Sequence, residues 1–122
     1  KPGEVNSDWF WDVVTRGYYE NAQRHAVYTC EIQVARIGDF LLVGWPGEPF
    51  VDLQFGVKLR SPAPFTLCAH MCNDQAGYIP TADAFATCSG NFDLRTGNNS
   101  KLIPDALKMM ENETRQAMLD LH

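Results

Sequence analysis

The stretch Phe40-Leu41-Leu42-Val43-Gly44-Trp45-Pro46-Gly47-Glu48-Pro49 decides the architecture. Its first four residues are apolar without alternation, the pattern of a central strand covered on both faces. Pro46-Gly47 stops that strand. Pro49 suits the first position of a helix, and Phe50, Leu53 and Val57 give that helix a stripe to bury. Glu48 then falls in the first helical turn, where a carboxylate meets the positive end of the helix dipole.

Toward the C-terminus, Ser61-Pro62-Ala63-Pro64 ends this helix, because a residue before proline avoids the α region. Phe65 to Cys72 reads as a second apolar strand. Phe65, Leu67, Ala69 and Met71 lie on one side of it, with Thr66, Cys68, His70 and Cys72 on the other. Strand, helix and strand from Phe40 to Met71 form a crossover unit, and a right-handed crossover sets its strands parallel. Ligands of such sheets gather at the carboxyl ends of the strands. Glu48 and the loop from Asn73 to Thr81 both follow such ends, so they converge on one edge if the strands are neighbours.

Toward the N-terminus, Cys30, Ile32 and Val34 alternate with Glu31 and Gln33, which predicts a half-exposed strand. Gly38-Asp39 fits a two-residue hairpin turn, with Gly supplying the positive φ of type II′. A helix capped by Ser7 begins at Asp8 and ends near His25, with Phe10, Val13, Val14, Gly17, Tyr18 and Asn21 on one face. Gly17 leaves room there for a close neighbour. Beyond Tyr78, Thr81 starts a short helix over Ala82 to Ala86, and residues 88–100 are irregular. Pro104 opens a last helix striped by Ile103, Leu107, Met110, Ala117 and Leu121. The expectation is one α/β domain over residues 1–122, a small mixed sheet with packed helices.

At 122 residues, with 45% hydrophobic and 20% charged residues, the chain can bury a core. A net charge of -5 and a pI near 5.0 exclude nucleic acid or an anionic membrane as the main partner. No apolar run approaches the ~20 residues of a membrane span. The start at Lys1-Pro2-Gly3 reads as a processed product or a piece of a longer polypeptide. A piece leaves a sheet edge open, which favours self-association or a missing upstream segment. Cys30, Cys68, Cys72 and Cys88 read as free thiols acting as small hydrophobes.

The chemistry-bearing phrases are Pro46-Gly47-Glu48 and Gly77-Tyr78-Ile79-Pro80-Thr81. Each displays an oxygen group directly after a backbone punctuation mark, and a carboxylate with a phenol suits a metal or an acid/base role. Cys68, His70 and Cys72 do not suit one, since residues four apart on a strand are separated by ~13 Å, too far for one ion. Nucleophile elbows and phosphate-binding glycine loops are absent from the sequence.

Taken together, Arg36-Ile37-Gly38-Asp39, Pro46-Gly47-Glu48, Ser61-Pro62, Asn73 and Gly77-Tyr78-Ile79-Pro80-Thr81 resemble the neutral/alkaline, non-lysosomal ceramidase family, especially its bacterial relatives. The resemblance runs from about Tyr28 to Leu121. It implies the last part of a larger zinc amidohydrolase-like catalytic domain, and a secreted or periplasmic setting. It also implies a Zn²⁺ ion held by two histidines from earlier in that domain and by the residues matching Glu48 and Tyr78. The activity implied is hydrolysis of an N-acyl amide, with a lipid-like substrate, and Asn73 would orient the substrate or its loop. Phe92-Asp93 stand where the family often has Tyr-Glu. The site is incomplete within this chain, which implies that these 122 residues alone are inactive. The rival reading is a scaffold or assembly module that kept the fold and lost the metal chemistry.

Overall fold

A computed structural model describes Gly3, residues 6–87, Leu94 and residues 99–121. Its elements are α1 (Ser7–Arg24), β1 (Gln33–Ile37), β2 (Phe40–Gly44), β3 (Glu48–Pro49), α2 (Val51–Leu59), β4 (Phe65–Ala69), β5 (Tyr78–Ile79), α3 (Ala82–Thr87) and α4 (Ala106–Asp120). Cys88 and Phe92-Asp93 lie outside the described residues.

The hairpin forms where Gly38 permits it. Ile37 pairs with Phe40 across the loop, and Gly38 has φ +59°, as the first central position of a II′ turn requires. β1 therefore runs antiparallel to β2, while β4 returns parallel to β2 after the α2 crossover, with Phe40 opposite Phe65. The sheet order is β1-β2-β4, a small mixed sheet with packed helices as expected.

One expectation about β2 fails. Leu41 and Val43 are buried, but Phe40 and Leu42 are exposed. The helices that shield β2 lie on one side only, where Leu41, Val43, Leu53, Val57, Leu107, Met110 and Met118 share a core. An unbroken apolar run thus reports two apolar faces, not two covered ones. β4 follows suit, with Thr66 and Cys68 half-buried and Phe65, Leu67 and Ala69 exposed.

The helices deviate in detail. Asn6, one residue before the expected cap, accepts the Trp9 N–H at 3.0 Å. α1 buries none of its residues, and nothing approaches the position a Gly17 side chain would take. Thr81 caps α3 as expected, its hydroxyl accepting the Ala84 N–H at 3.1 Å. On α4, Ile103 and Leu121 of the expected stripe are exposed, while Glu111 and Thr114 are buried in their place.

Those two polar residues are buried because each has partners. The Trp45 indole donates to Thr114 Oγ1 at 2.9 Å, and that hydroxyl donates to the Met110 carbonyl at 2.7 Å. Glu111 accepts from Arg60 at 2.6 Å and from Lys108 at 2.7 Å. A carboxylate so placed keeps its charge satisfied while the cations reach solvent. Gly56 makes the room: a Cβ there would stand 2.8 Å from the Glu111 carboxyl carbon.

Gly56→Ala is expected to lower unfolding stability by about 1–3 kcal/mol in a denaturant titration. In a Glu111→Ala background the same substitution should cost under ~0.5 kcal/mol, because the clash is gone. An equal cost in both backgrounds would place the strain elsewhere.

Candidate metal-ligand site

The Pro46-Gly47-Glu48 phrase is threaded between two parts of the chain that follow β4. Trp45 donates its N–H to the Ala69 carbonyl at 3.0 Å and accepts from Cys72 at 2.9 Å. Gly47 donates to the Asp74 carbonyl at 3.0 Å and accepts from Met71 at 2.9 Å. Glu48 N–H then bonds the Gly77 carbonyl at 2.8 Å, and Phe50 N–H the Ile79 carbonyl at 3.0 Å. The parallel ladder of β2 and β4 thus resumes as β3 and β5, with Glu48 opposite Tyr78 and Pro49 opposite Ile79.

The two ladders differ in register. Phe40 faces Phe65, an offset of 25 positions, whereas Glu48 faces Tyr78, an offset of 30. The five extra residues bow out of the second strand between Ala69 and Gly77. Met71 (φ +58°) and Asn73 (φ +63°) make that turn in the left-handed region. Asn tolerates this conformation and Met does so rarely, so the loop carries backbone strain at Met71. Asn73 thus has a turn-forming role, and its side chain is exposed.

The glycines of both phrases are required by contact. At Gly47 (φ +64°), a Cβ would lie 2.6 Å from the Gly77 carbonyl oxygen. At Gly77 (φ +78°), it would lie 2.4 Å from the Asn99 carbonyl oxygen. Two backbones meet here without side chains between them. That closeness allows the residues immediately following to pair.

Glu48 was expected in the first turn of a helix. It sits instead on β3, and α2 begins at Val51 with Phe50 as its cap residue. Pro49 stays in the strand because β5 offers Glu48 and Phe50 backbone acceptors, which a helix start would leave unused. The carboxylate therefore owes its position to a strand partner rather than to a helix dipole. Register partners on adjacent strands project to the same side of the sheet, so Glu48 and Tyr78 share a face. Both are half-buried. The convergence expected from topology is present.

The bowed loop is also held from outside. Tyr28 donates its hydroxyl to Asp74 Oδ2 at 2.5 Å, and Asp74 Oδ1 accepts the Gln75 N–H at 2.6 Å. Burial, then the Asp74 hydrogen bond and charge, push the Tyr28 phenol well above its ordinary value. The Tyr28 bond and the Gln75 N–H hold the Asp74 carboxyl below its own ordinary value. No sequence pattern singles out either residue: they lie 46 positions apart, and neither follows a motif.

Comparison with protein-family models, curated proteins and solved structures returned no match. A carboxylate and a phenol are both oxygen donors, and here they stand at paired positions on neighbouring strands. Among the described residues, no group of three or more His, Cys, Asp and Glu side chains is placed to hold a metal. Cys68 and Cys72 are half-buried free thiols outside any such group, and the Cys72 thiol points to the His70 carbonyl at 3.6 Å.

The Tyr28–Asp74 pair should give the loop a two-sided pH dependence. Asp74 has a lowered folded value, so its contribution is present above the ordinary carboxylate range and is lost as pH falls through that lowered value. Tyr28 has a raised folded value, so its contribution is complete below ~10 and is lost as pH rises through the raised value. Titrating tyrosinate absorbance in wild type and Tyr28→Phe should isolate one phenol ionising above the others. Asp74→Asn should bring that phenol partway down, leaving the part due to burial. A Tyr28 that titrates with the exposed tyrosines would mean that the bond does not form.

Proposed function

We propose that Glu48 and Tyr78 are two oxygen ligands of a zinc centre that hydrolyses amide bonds. In this reading the other two ligands are histidines supplied from outside these 122 residues. The observation that carries it is the placement of Glu48 directly opposite Tyr78 on neighbouring parallel strands. The resemblance to neutral/alkaline ceramidases assigns the same two positions independently of that geometry. Structural zinc sites take four ligands and catalytic ones three protein ligands, so a pair alone would hold the ion weakly.

Each residue has a distinct part in this reading. The Glu48 carboxylate supplies negative charge, and its main chain is fixed by the Gly77 carbonyl on one side of the phrase. The Tyr78 phenol binds best as the phenolate, so it gives up its proton to solvent or substrate on ligation. Its main chain is fixed by donation to the Asn99 carbonyl at 2.6 Å. Both side chains thus stand on short strands with immobilised backbones, as preorganised ligation requires. When bound, zinc would lower the pKa of a coordinated water to about 7 and act as a Lewis acid toward the amide carbonyl. The substrate class is an N-acyl amide with a lipid-like acyl chain. The larger zinc amidohydrolase-like domain and the secreted or periplasmic setting belong to this same proposal.

The test is zinc content and amidase turnover in the full polypeptide that carries this chain. Glu48→Gln and Tyr78→Phe should each weaken zinc binding at least about 100-fold, the upper end of what outer-shell changes cost. N-acyl amide hydrolysis should fall in parallel, and far-UV circular dichroism should not change. Retention of stoichiometric zinc and full turnover by both variants would remove these residues from the site. The scaffold reading would then stand.

A further inference from the structure

The strands that carry Glu48 and Tyr78 are two residues long each, too short to hold their register by themselves. Each leans on a carbonyl from irregular chain. The Asp74 carbonyl, in the bowed loop, accepts the Gly47 N–H at 3.0 Å, one residue before Glu48. The Asn99 carbonyl accepts the Tyr78 N–H at 2.6 Å, and the next residue, Ser100, bridges to Gly77. Whatever fixes Asp74 and Asn99 therefore fixes how the two side chains face each other.

One stretch of chain, Tyr18 to Tyr28, reaches both supports. Tyr28 donates its hydroxyl to the Asp74 carboxylate at 2.5 Å, while the backbone of the same aspartate holds Gly47. On the other side, Lys101 Nζ lies 4.7 Å from the centre of the Tyr18 ring, within the range of a cation–π contact. Lys101 stands two residues beyond Asn99, and its Nζ also donates to the Gln75 carbonyl at 3.4 Å. Its stem lies beside Gly77, where a Cβ would come 3.8 Å from Lys101 Cε. α1 buries none of its residues, and residues 25–32 form no helix or strand. A stretch without buried helical residues that meets both supports is placed to set the pairing rather than to fill an interior.

We propose that Tyr18 and Tyr28 are positioning residues for the Glu48–Tyr78 pair, acting through Lys101 and Asp74 from the two sides of the ladder. The consequence for metal binding rests on the zinc reading; the positioning itself does not. The Tyr28 arm is the stronger, because its acceptor is a carboxylate. Without that hydroxyl, the left-handed turn at Met71 and Asn73 loses a restraint, and the Gly47 N–H opens with it. Without the Tyr18 ring, Lys101 is released and the segment that accepts the Tyr78 N–H loosens.

Residue-resolved amide hydrogen exchange of the full polypeptide, without metal, tests the positioning. Tyr28→Phe should speed exchange at Gly47 about tenfold, the scale of one hydrogen bond to a charged acceptor. Tyr18→Leu should speed exchange at Tyr78 about threefold, the scale of an exposed cation–π contact. Neither should alter exchange at Leu41 and Val43 of β2. Tyr19→Leu, 65% exposed and next along α1, should alter none of these sites. Unchanged exchange at Gly47 and Tyr78 overturns the proposal, and so does equal acceleration there and in β2, which would be plain destabilisation. Zn²⁺ affinity of the same polypeptide, read by chelator competition, should fall about tenfold in Tyr28→Phe, the lower end for a residue that orients a ligand. If Glu48→Gln and Tyr78→Phe weaken Zn²⁺ binding while Tyr28→Phe and Tyr18→Leu leave it intact, the positioning role in ligation is overturned. If the unaltered polypeptide takes up no Zn²⁺, the zinc reading fails instead, and amide exchange alone decides the positioning.

Discussion

The contact between Gly47 and Gly77 is the constraint on which the site depends. Their main chains approach so closely that a methyl group at Gly47 would overlap the Gly77 carbonyl oxygen. The approach lets the parallel ladder of β2 and β4 restart beyond the bowed loop, and the restarted ladder sets Glu48 opposite Tyr78. Without it, the five extra residues in the second strand would carry the tyrosine out of register. The pairing of Glu48 with Tyr78 is thus set by backbone hydrogen bonds, each worth only about 1 kcal/mol net but several acting in series.

The helical side of the sheet has a different logic. Among the described residues, two polar residues of α4, Glu111 and Thr114, are buried beside its apolar core, and both fix how α4 lies. Thr114 receives the indole of Trp45, which immediately precedes the Pro46-Gly47 turn. Glu111 receives Arg60 at the end of α2 and seats against Gly56. α4 is therefore tied to the start of the Pro46-Gly47-Glu48 phrase and to the helix that follows it. The buried carboxylate and hydroxyl set position more than they add stability, since a buried ion pair is weak evidence for net stabilisation.

The strained loop between β4 and β5 joins these parts. Met71 and Asn73 turn in the left-handed region, and Asp74 presents a backbone carbonyl to Gly47 and a carboxylate to Tyr28. The segment after α1 thereby touches the site through one side-chain bond. A left-handed Met is retained only where its surroundings hold it, and here the surroundings are the Gly47 carbonyl and the Tyr28–Asp74 bond.

Local chemistry in the sequence determined the hairpin at Gly38-Asp39, the α2 crossover, the cap at Thr81 and the parallel pairing of β2 with β4. Each follows from a residue whose backbone preference acts within a few positions. Sequence also brought Glu48 and Tyr78 to one edge, because strand ends and loops are ordered along the chain. Tertiary structure alone decided that Glu48 stands on a strand and not a helix. The acceptors that hold it come from residues about thirty positions away. It alone decided that β2 is covered on one face, since apolar character says what a surface can bury and not what is present to cover it. The Tyr28–Asp74 and Trp45–Thr114 bonds were beyond the sequence for the same reason: polar pairs 46 and 69 positions apart meet only once the chain has folded.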